Sequence, residues 1–188
     1  MDDDFRPLSV LRATSEVLRD FRPTVLIDSR EQTPLSFKRL PFRSLREEDG
    51  EGLYSGDYSL AGGETLFAVE RKSIPDLVSC CGPSRDRFER ELHRLRGYRF
   101  ARVIVTGPRS DIEEANYRSQ MLPKAVLSTL AAFEARYDIP FVFCANEVAA
   151  ASQVEVWAYW FAREMLRTVD DLVRAAGPAK TDEKVEAA

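Results

Sequence analysis

Five short apolar runs, each divided from the next by a turn or by a stretch of helical periodicity, constrain this chain more than any other feature. Residues 24–28, 54–60, 66–70, 100–106 and 139–144 are rich in β-branched or aromatic side chains and predict strands. Between them, Phe88, Leu92 and Leu95 recur at i, i+4 and i+7 within residues 84–98. Val126, Leu130, Phe133 and Tyr137 follow helical spacing in a segment that Pro123 opens, and a last helix is expected over 147–172. Strands alternating with helices imply an α/β layer architecture. The sequence Ala61-Gly62-Gly63-Glu64 predicts a hairpin between the second and third runs, so the central sheet is expected to be mixed, with helices flanking it. A chain of 188 residues has room for one core.

That core is assigned to residues 23–172. Residues 1–22 read as a helical extension, with Leu8, Leu11, Val17, Leu18 and Phe21 in an imperfect helical rhythm that Pro23 ends. Residues 173–188 are expected to form a disordered tail. Residues 29–52, with two prolines and the run Glu47-Glu48-Asp49-Gly50-Glu51-Gly52, read as a long mobile loop. No apolar run reaches the ~18 residues of a membrane span, and the N-terminus is acidic where a signal peptide is basic. No membrane partner is therefore expected, and the location is expected to be intracellular and cytoplasmic. Cys80, Cys81 and Cys144 lack metal or redox spacing, and the single histidine, His93, excludes a histidine-rich zinc site. No G-x-x-x-x-G-K-[ST] loop occurs, so no nucleoside triphosphate is expected.

Carboxylates, lysine and arginine remain for chemistry. Gly56-Asp57-Tyr58 is followed thirteen residues later by Glu70-Arg71-Lys72, and the hairpin would bring Asp57 and Glu70 onto adjacent strands. Two carboxylates held that close repel unless a divalent cation lies between them. Magnesium or manganese suits such hard-oxygen ligands. Side chains alternate along a strand, so Glu70 and Lys72 share one face and Arg71 takes the other. Carboxylates to hold a cation, a cation to acidify water and a lysine to offset developing charge are the equipment of phosphodiester hydrolysis.

The net charge of -4 is unevenly spread. Residues 21–110 carry sixteen bases against thirteen acids, between acidic flanks. Lys38, Arg39, Arg43 and Arg46 lie in a nine-residue stretch with no acid, and eight arginines stand against three acids between Arg85 and Arg109. Two readings stay open: a phosphate-binding stripe, or a solvated helix face laced with ion pairs.

Four motifs in order, residues 25–31, 55–60, 69–77 and Arg87-Phe88, resemble the nuclease domain of the XPF/Hef family of structure-specific endonucleases, within the PD-(D/E)XK superfamily. The resemblance covers about residues 24–165. It implies a restriction-endonuclease-like nuclease fold and a metal-dependent DNA endonuclease preferring branched or interrupted duplexes. It further implies metal ligation by Asp57 and Glu70 with Asp28 close by, an acidic pocket completed by Glu31, catalysis by Lys72 and support from Arg71. Arg87 matches a family arginine, whereas Glu91 stands where the family usually has glutamine and is spaced to pair with Arg87 instead. No glycine-bearing helix-hairpin-helix pattern follows Cys144, so DNA grip is assigned to Arg87, Arg90, Arg94, Arg96 and Arg99 and to Lys38, Arg39 and Arg43 of the loop. The rival readings are a non-catalytic DNA-binding subunit and a nuclease for linear ends or single strands.

The last helix carries two apolar faces. Val154, Trp157, Ala158, Phe161, Met165 and Leu172 suit docking on the sheet, while Val156, Tyr159 and Trp160 point the other way beside Arg163 and Arg167. The family resemblance favours a homodimer as the cover for this second face, the alternative being the helix at 7–21.

Overall fold

The computed structural model describes residues 21–176. Residues 22–161 form one compact unit that contains the entire sheet; from Ala162 onward the last helix belongs to a second unit. The expected helix at 7–21 lies almost entirely outside the described residues, as does the chain beyond Ala176.

Six strands make one mixed sheet: β1 (Val25–Ile27), β2 (Phe42–Ser44), β3 (Tyr58–Leu60), β4 (Phe67–Ser73), β5 (Phe100–Thr106) and β6 (Phe141–Cys144). Their order is β2-β1-β3-β4-β5-β6. β3 runs antiparallel to both neighbours, whereas β1/β2, β4/β5 and β5/β6 are parallel pairs. Among the described residues five helices flank it: α1 (Ile74–Cys81), α2 (Arg85–Leu95), α3 (Ser110–Glu113), α4 (Pro123–Tyr137) and α5 (Glu147–Ala176).

Alternation along the long strands decides which side chains meet which layer. Ala68, Val103 and Val105 join Leu77, Phe88, Leu92, Val126, Leu130 and Phe133 in the main core beneath α1, α2 and α4. On the opposite face Phe67 stacks on Phe100, and Trp157 and Phe161 of α5 close over the pair. Phe100 is thus half-buried, packed between Phe67 and the rings of α5. Tyr58 is fully buried, its hydroxyl accepting the Leu35 N–H at 3.0 Å.

Helix α1 begins directly from β4. The Ser73 hydroxyl accepts the Asp76 N–H at 3.2 Å and donates to the Asp76 carboxylate, while Pro75 suits the first turn. This abrupt strand-to-helix switch places α1 beside the end of β4 that carries Glu70 and Lys72.

The segment 29–52 departs from the mobile loop expected of it. It contains β2 and a short 3-10 turn at Glu47–Asp49, and it is pinned by buried Leu35, Phe37, Leu40 and Leu45. A polar anchor adds to these: Glu155, buried on α5, accepts the N–H groups of Lys38, Arg39 and Leu40 at 2.8, 2.5 and 3.0 Å. The expected strand at 54–60 shortens to β3, because residues 53–57 turn. Helix α5 runs four residues past its expected end at Leu172, which is exposed rather than docked.

Candidate active site

Tyr58 pairs with Val69 across β3 and β4, so Asp57 lies opposite Glu70. Gly56 permits the approach: its φ is +82°, and a Cβ there would stand 3.2 Å from the Val69 carbonyl oxygen. The Asp57 N–H donates to that carbonyl at 2.9 Å, and the Arg71 N–H donates to Asp57 Oδ2 at 2.7 Å.

Burial, and then the charge of Glu70, push the Asp57 pKa up to about 7. Burial also raises Glu70, against the pull of Lys72. Lys72 lies on the same face, bonded to Glu70 and 5.5 Å from the centre of the Phe88 ring. Burial works against the lysine's charge, but Glu70 and Asp57 outweigh it and hold the ammonium above its ordinary range. Glu70 and Lys72 open onto a cavity of about 220 Å³ that is also lined by Asp76, Cys80, Arg87 and Glu91.

Half-buried Asp57 and buried Glu70, two carboxylates that resist joint ionisation, are a donor set that fits a hard divalent cation. No third acid, histidine or cysteine completes a metal-binding cluster with them among the described residues. The Asp28 carboxylate, which the resemblance sets close to the pair, is engaged by Arg30 and Leu53. It accepts Arg30 N–H at 3.1 Å, Arg30 Nε at 2.6 Å, Arg30 Nη2 at 3.2 Å and Leu53 N–H at 2.6 Å. Burial opposes its charge, yet Arg30 and the Leu53 amide hold it below the usual carboxylate range. Asp28 therefore fastens the chain on either side of the 29–52 segment.

Glu31 and Arg71 also have a structural engagement. Arg71, on the face of β4 opposite Lys72, grips Glu31 through Nε and Nη2 at 3.0 Å each and reaches Thr33 Oγ1 at 2.7 Å. Burial would raise Glu31, but Arg71 and the Thr33 amide hold it low, so its charge is spent on the arginine. Among the expected DNA-binding residues, Arg94 is bound to Glu91 and Ser55, and Arg43 to Glu51 at 2.7 Å. Arg87, Arg90, Arg96 and Arg99, with Lys38 and Arg39, make no side-chain ion pair among the described residues. The i, i+4 pairing of Arg87 with Glu91 does not form; Glu91 instead accepts the Ser55 hydroxyl at 2.5 Å. That contact had no sequence signal beyond the position of Glu91 one turn after Arg87.

The ERCC4 domain family model matches residues 27–156, which take in both carboxylates, Lys72 and the Glu31–Arg71 pair. Among solved structures, XPF from Aeropyrum pernix is similar over 72% of this chain and 60% of its own length, at 23% identity and a TM-score of 0.54. XPF from Aeropyrum pernix in complex with DNA is similar over 76% of this chain and 66% of its own, at 22% identity and a TM-score of 0.55. The comparison with curated proteins finds no match. The mixed sheet flanked by helices is the fold of these XPF structures, as expected from the motifs. With more than half of its length matched, and Asp57, Glu70 and Lys72 brought together at one hairpin, the chain belongs to the ERCC4 domain family.

Proposed function

We propose that this chain is a metal-dependent DNA endonuclease that prefers branched or interrupted duplexes. The observation that carries the reading is half-buried Asp57 opposite buried Glu70, with Lys72 on the same face of β4 as Glu70. DNA as substrate is supported by family membership and by one similar structure, XPF from Aeropyrum pernix, being a complex with DNA. Asp57 and Glu70 would hold Mg2+ or Mn2+. Such an ion, when bound, acidifies a water and polarises a phosphate.

The chain's own residues divide the remaining work. The Arg71 amide and the Val69 carbonyl fix Asp57 in place. Lys72, kept protonated by its carboxylate neighbours, presents positive charge where negative charge develops. Arg87, exposed on the cavity lining, offers a second charge to phosphate oxygens. The full set of Asp57, Glu70 and Lys72 supports an active enzyme over a non-catalytic subunit. A homodimer is the proposed assembly, with exposed Val156 of α5 on the face assigned to it.

The test is a panel of labelled flap, fork, duplex and single-strand DNAs with Mg2+ or with EDTA. Cleavage is expected on flap or fork, absent with EDTA, and slowed about 100-fold or more by Lys72→Ala at unchanged DNA affinity. Cleavage that persists in EDTA, or no cleavage of any DNA by the wild type, overturns the reading.

A further inference from the structure

We propose that Glu91 is a positioning residue that latches the turn before β3 to α2 and thereby holds the Asp57 carboxylate opposite Glu70. The inference rests on the reading of Asp57 and Glu70 as the reactive pair, and adds to it a residue that reaches neither directly.

The turn needs a latch because sheet pairing stops short of it. β3 begins at Tyr58, and backbone pairing reaches back only to Asp57, whose N–H donates to the Val69 carbonyl and whose carbonyl accepts the Asp28 N–H, each at 2.9 Å. Residue 56 has a positive φ and no side chain, which leaves the backbone free to swing unless something holds it. The upstream end is held by Asp28, through the Leu53 N–H at 2.6 Å. The downstream end is held from α2. Glu91 Oε1 accepts the Ser55 hydroxyl at 2.5 Å and the Gly56 N–H at 3.4 Å. Ser55 is buried, so its hydroxyl has no water to replace that acceptor.

The latch is rigid at its other end. Phe88, Leu92 and Leu95 of α2 are buried in the main core and set the rotation of the helix, which aims Glu91 at the turn. Arg94, one turn on, pairs with the second Glu91 oxygen and donates to Ser55 Oγ at 3.3 Å, closing a triangle. The arginine has a further effect. Glu91 lines the same cavity as Glu70 and its charge adds to the forces that raise Glu70. Arg94 offsets that charge, so the acceptor is supplied without a third uncompensated carboxylate beside the pair.

An acceptor is what the latch requires, and a full charge is not. Glu91→Gln keeps an oxygen for Ser55 and Gly56, whereas Glu91→Ala and Ser55→Ala each open the latch. The experiment measures Mn2+ affinity by EPR titration, amide exchange at Gly56 and Asp57, and cleavage for the three single variants and the Ser55→Ala/Glu91→Ala double. Glu91→Ala and Ser55→Ala are expected to weaken Mn2+ binding and speed exchange at both amides by about tenfold. The double variant should be no worse than the poorer single, because both break one device. Glu91→Gln should stay within about threefold of wild type in every readout. Unchanged exchange and affinity in Glu91→Ala would overturn the latch. Equal impairment of Glu91→Gln and Glu91→Ala would also overturn it, by assigning the effect to charge. A wild type that binds no Mn2+ would end the metal reading alone, since exchange at Gly56 and Asp57 still decides whether Glu91 holds the turn.

Discussion

Asp57 holds its proton more tightly in the folded protein than it would in an unfolded chain. Burial and Glu70 lift its pKa from the ordinary 3.8 to about 7. Where the native state binds more protons than the unfolded state, stability falls as pH rises. The loss should therefore accumulate between about pH 4 and pH 7 and be complete above that window. Metal-free Asp57→Asn escapes it: the variant should melt higher than wild type at pH 8, and the gap should close near pH 4. Thermal melts in EDTA across this range test the sign, and a wild type more stable than the variant at pH 8 would refute the burial argument. Added Mg2+ should raise the melting temperature of wild type at pH 8 and leave the variant unmoved. Asp57, Glu70 and Lys72 could be read from sequence because a tight hairpin and strand alternation are local rules. The tasks of Asp28, Glu31 and Arg71 could not, since each is set by a partner distant in sequence or by a turn whose course the sequence leaves open.

At the scale of elements, the carboxylates of two buried acids organise the 29–52 segment. Asp28 at the end of β1 accepts the Leu53 amide, and Glu155 on α5 accepts three consecutive amides at residues 38–40. Removing such an acceptor leaves buried donors unsatisfied, which costs about 1–3 kcal/mol per group. Glu155→Ala should lower the urea midpoint by an amount equivalent to about 2–4 kcal/mol and speed amide exchange selectively at residues 38–40. Exchange that rises uniformly along the chain would argue against a local anchor. The helices α2 and α4 and the strand β5 were legible because their periodicity is regular. The strand β2 was not: Leu35, Phe37, Leu40 and Leu45 are buried without a common period, and β2 itself exposes all three of its residues at the sheet edge.

Over the whole molecule, the arginine-rich stretch resolves into two populations. Arg85, Arg94 and Arg109 are committed to Glu89, Glu91 and Glu113, as a solvated, ion-paired helix face requires. Arg90, Arg96 and Arg99 form no ion pair among the described residues and are exposed. Neutralising these three should weaken binding to every form of DNA and make the slope of log affinity against log salt shallower by about 2–3. Arg94→Gln should leave the slope unchanged, and equal effects of the two changes would show that pairing does not decide which arginines meet phosphate. No helix among the described residues is long and apolar enough to cross a membrane. The proposed dimer is tested by sedimentation at micromolar concentration, where a single monomeric species would refute it.

What the sequence determined alone follows from short-range physics. Apolar patterning specified β5 from Phe100 to Thr106, Pro123 marked the start of α4, and the order of runs specified a mixed sheet flanked by helices. The glycine hairpin put Asp57 and Glu70 on adjacent strands, and the pairing of Tyr58 with Val69 then sets them opposite one another. What only the tertiary structure decided is how each remaining charge is used. Among the described residues, every buried polar side-chain atom has a partner. Which partner depends on where the chain returns after long excursions: Arg71 to Glu31 over 40 residues, Glu91 to Ser55 over 36, Glu155 to Arg39 over 116. A buried carboxylate must find a donor, and spacing along the chain carries no information about which donor folding will bring within 3 Å.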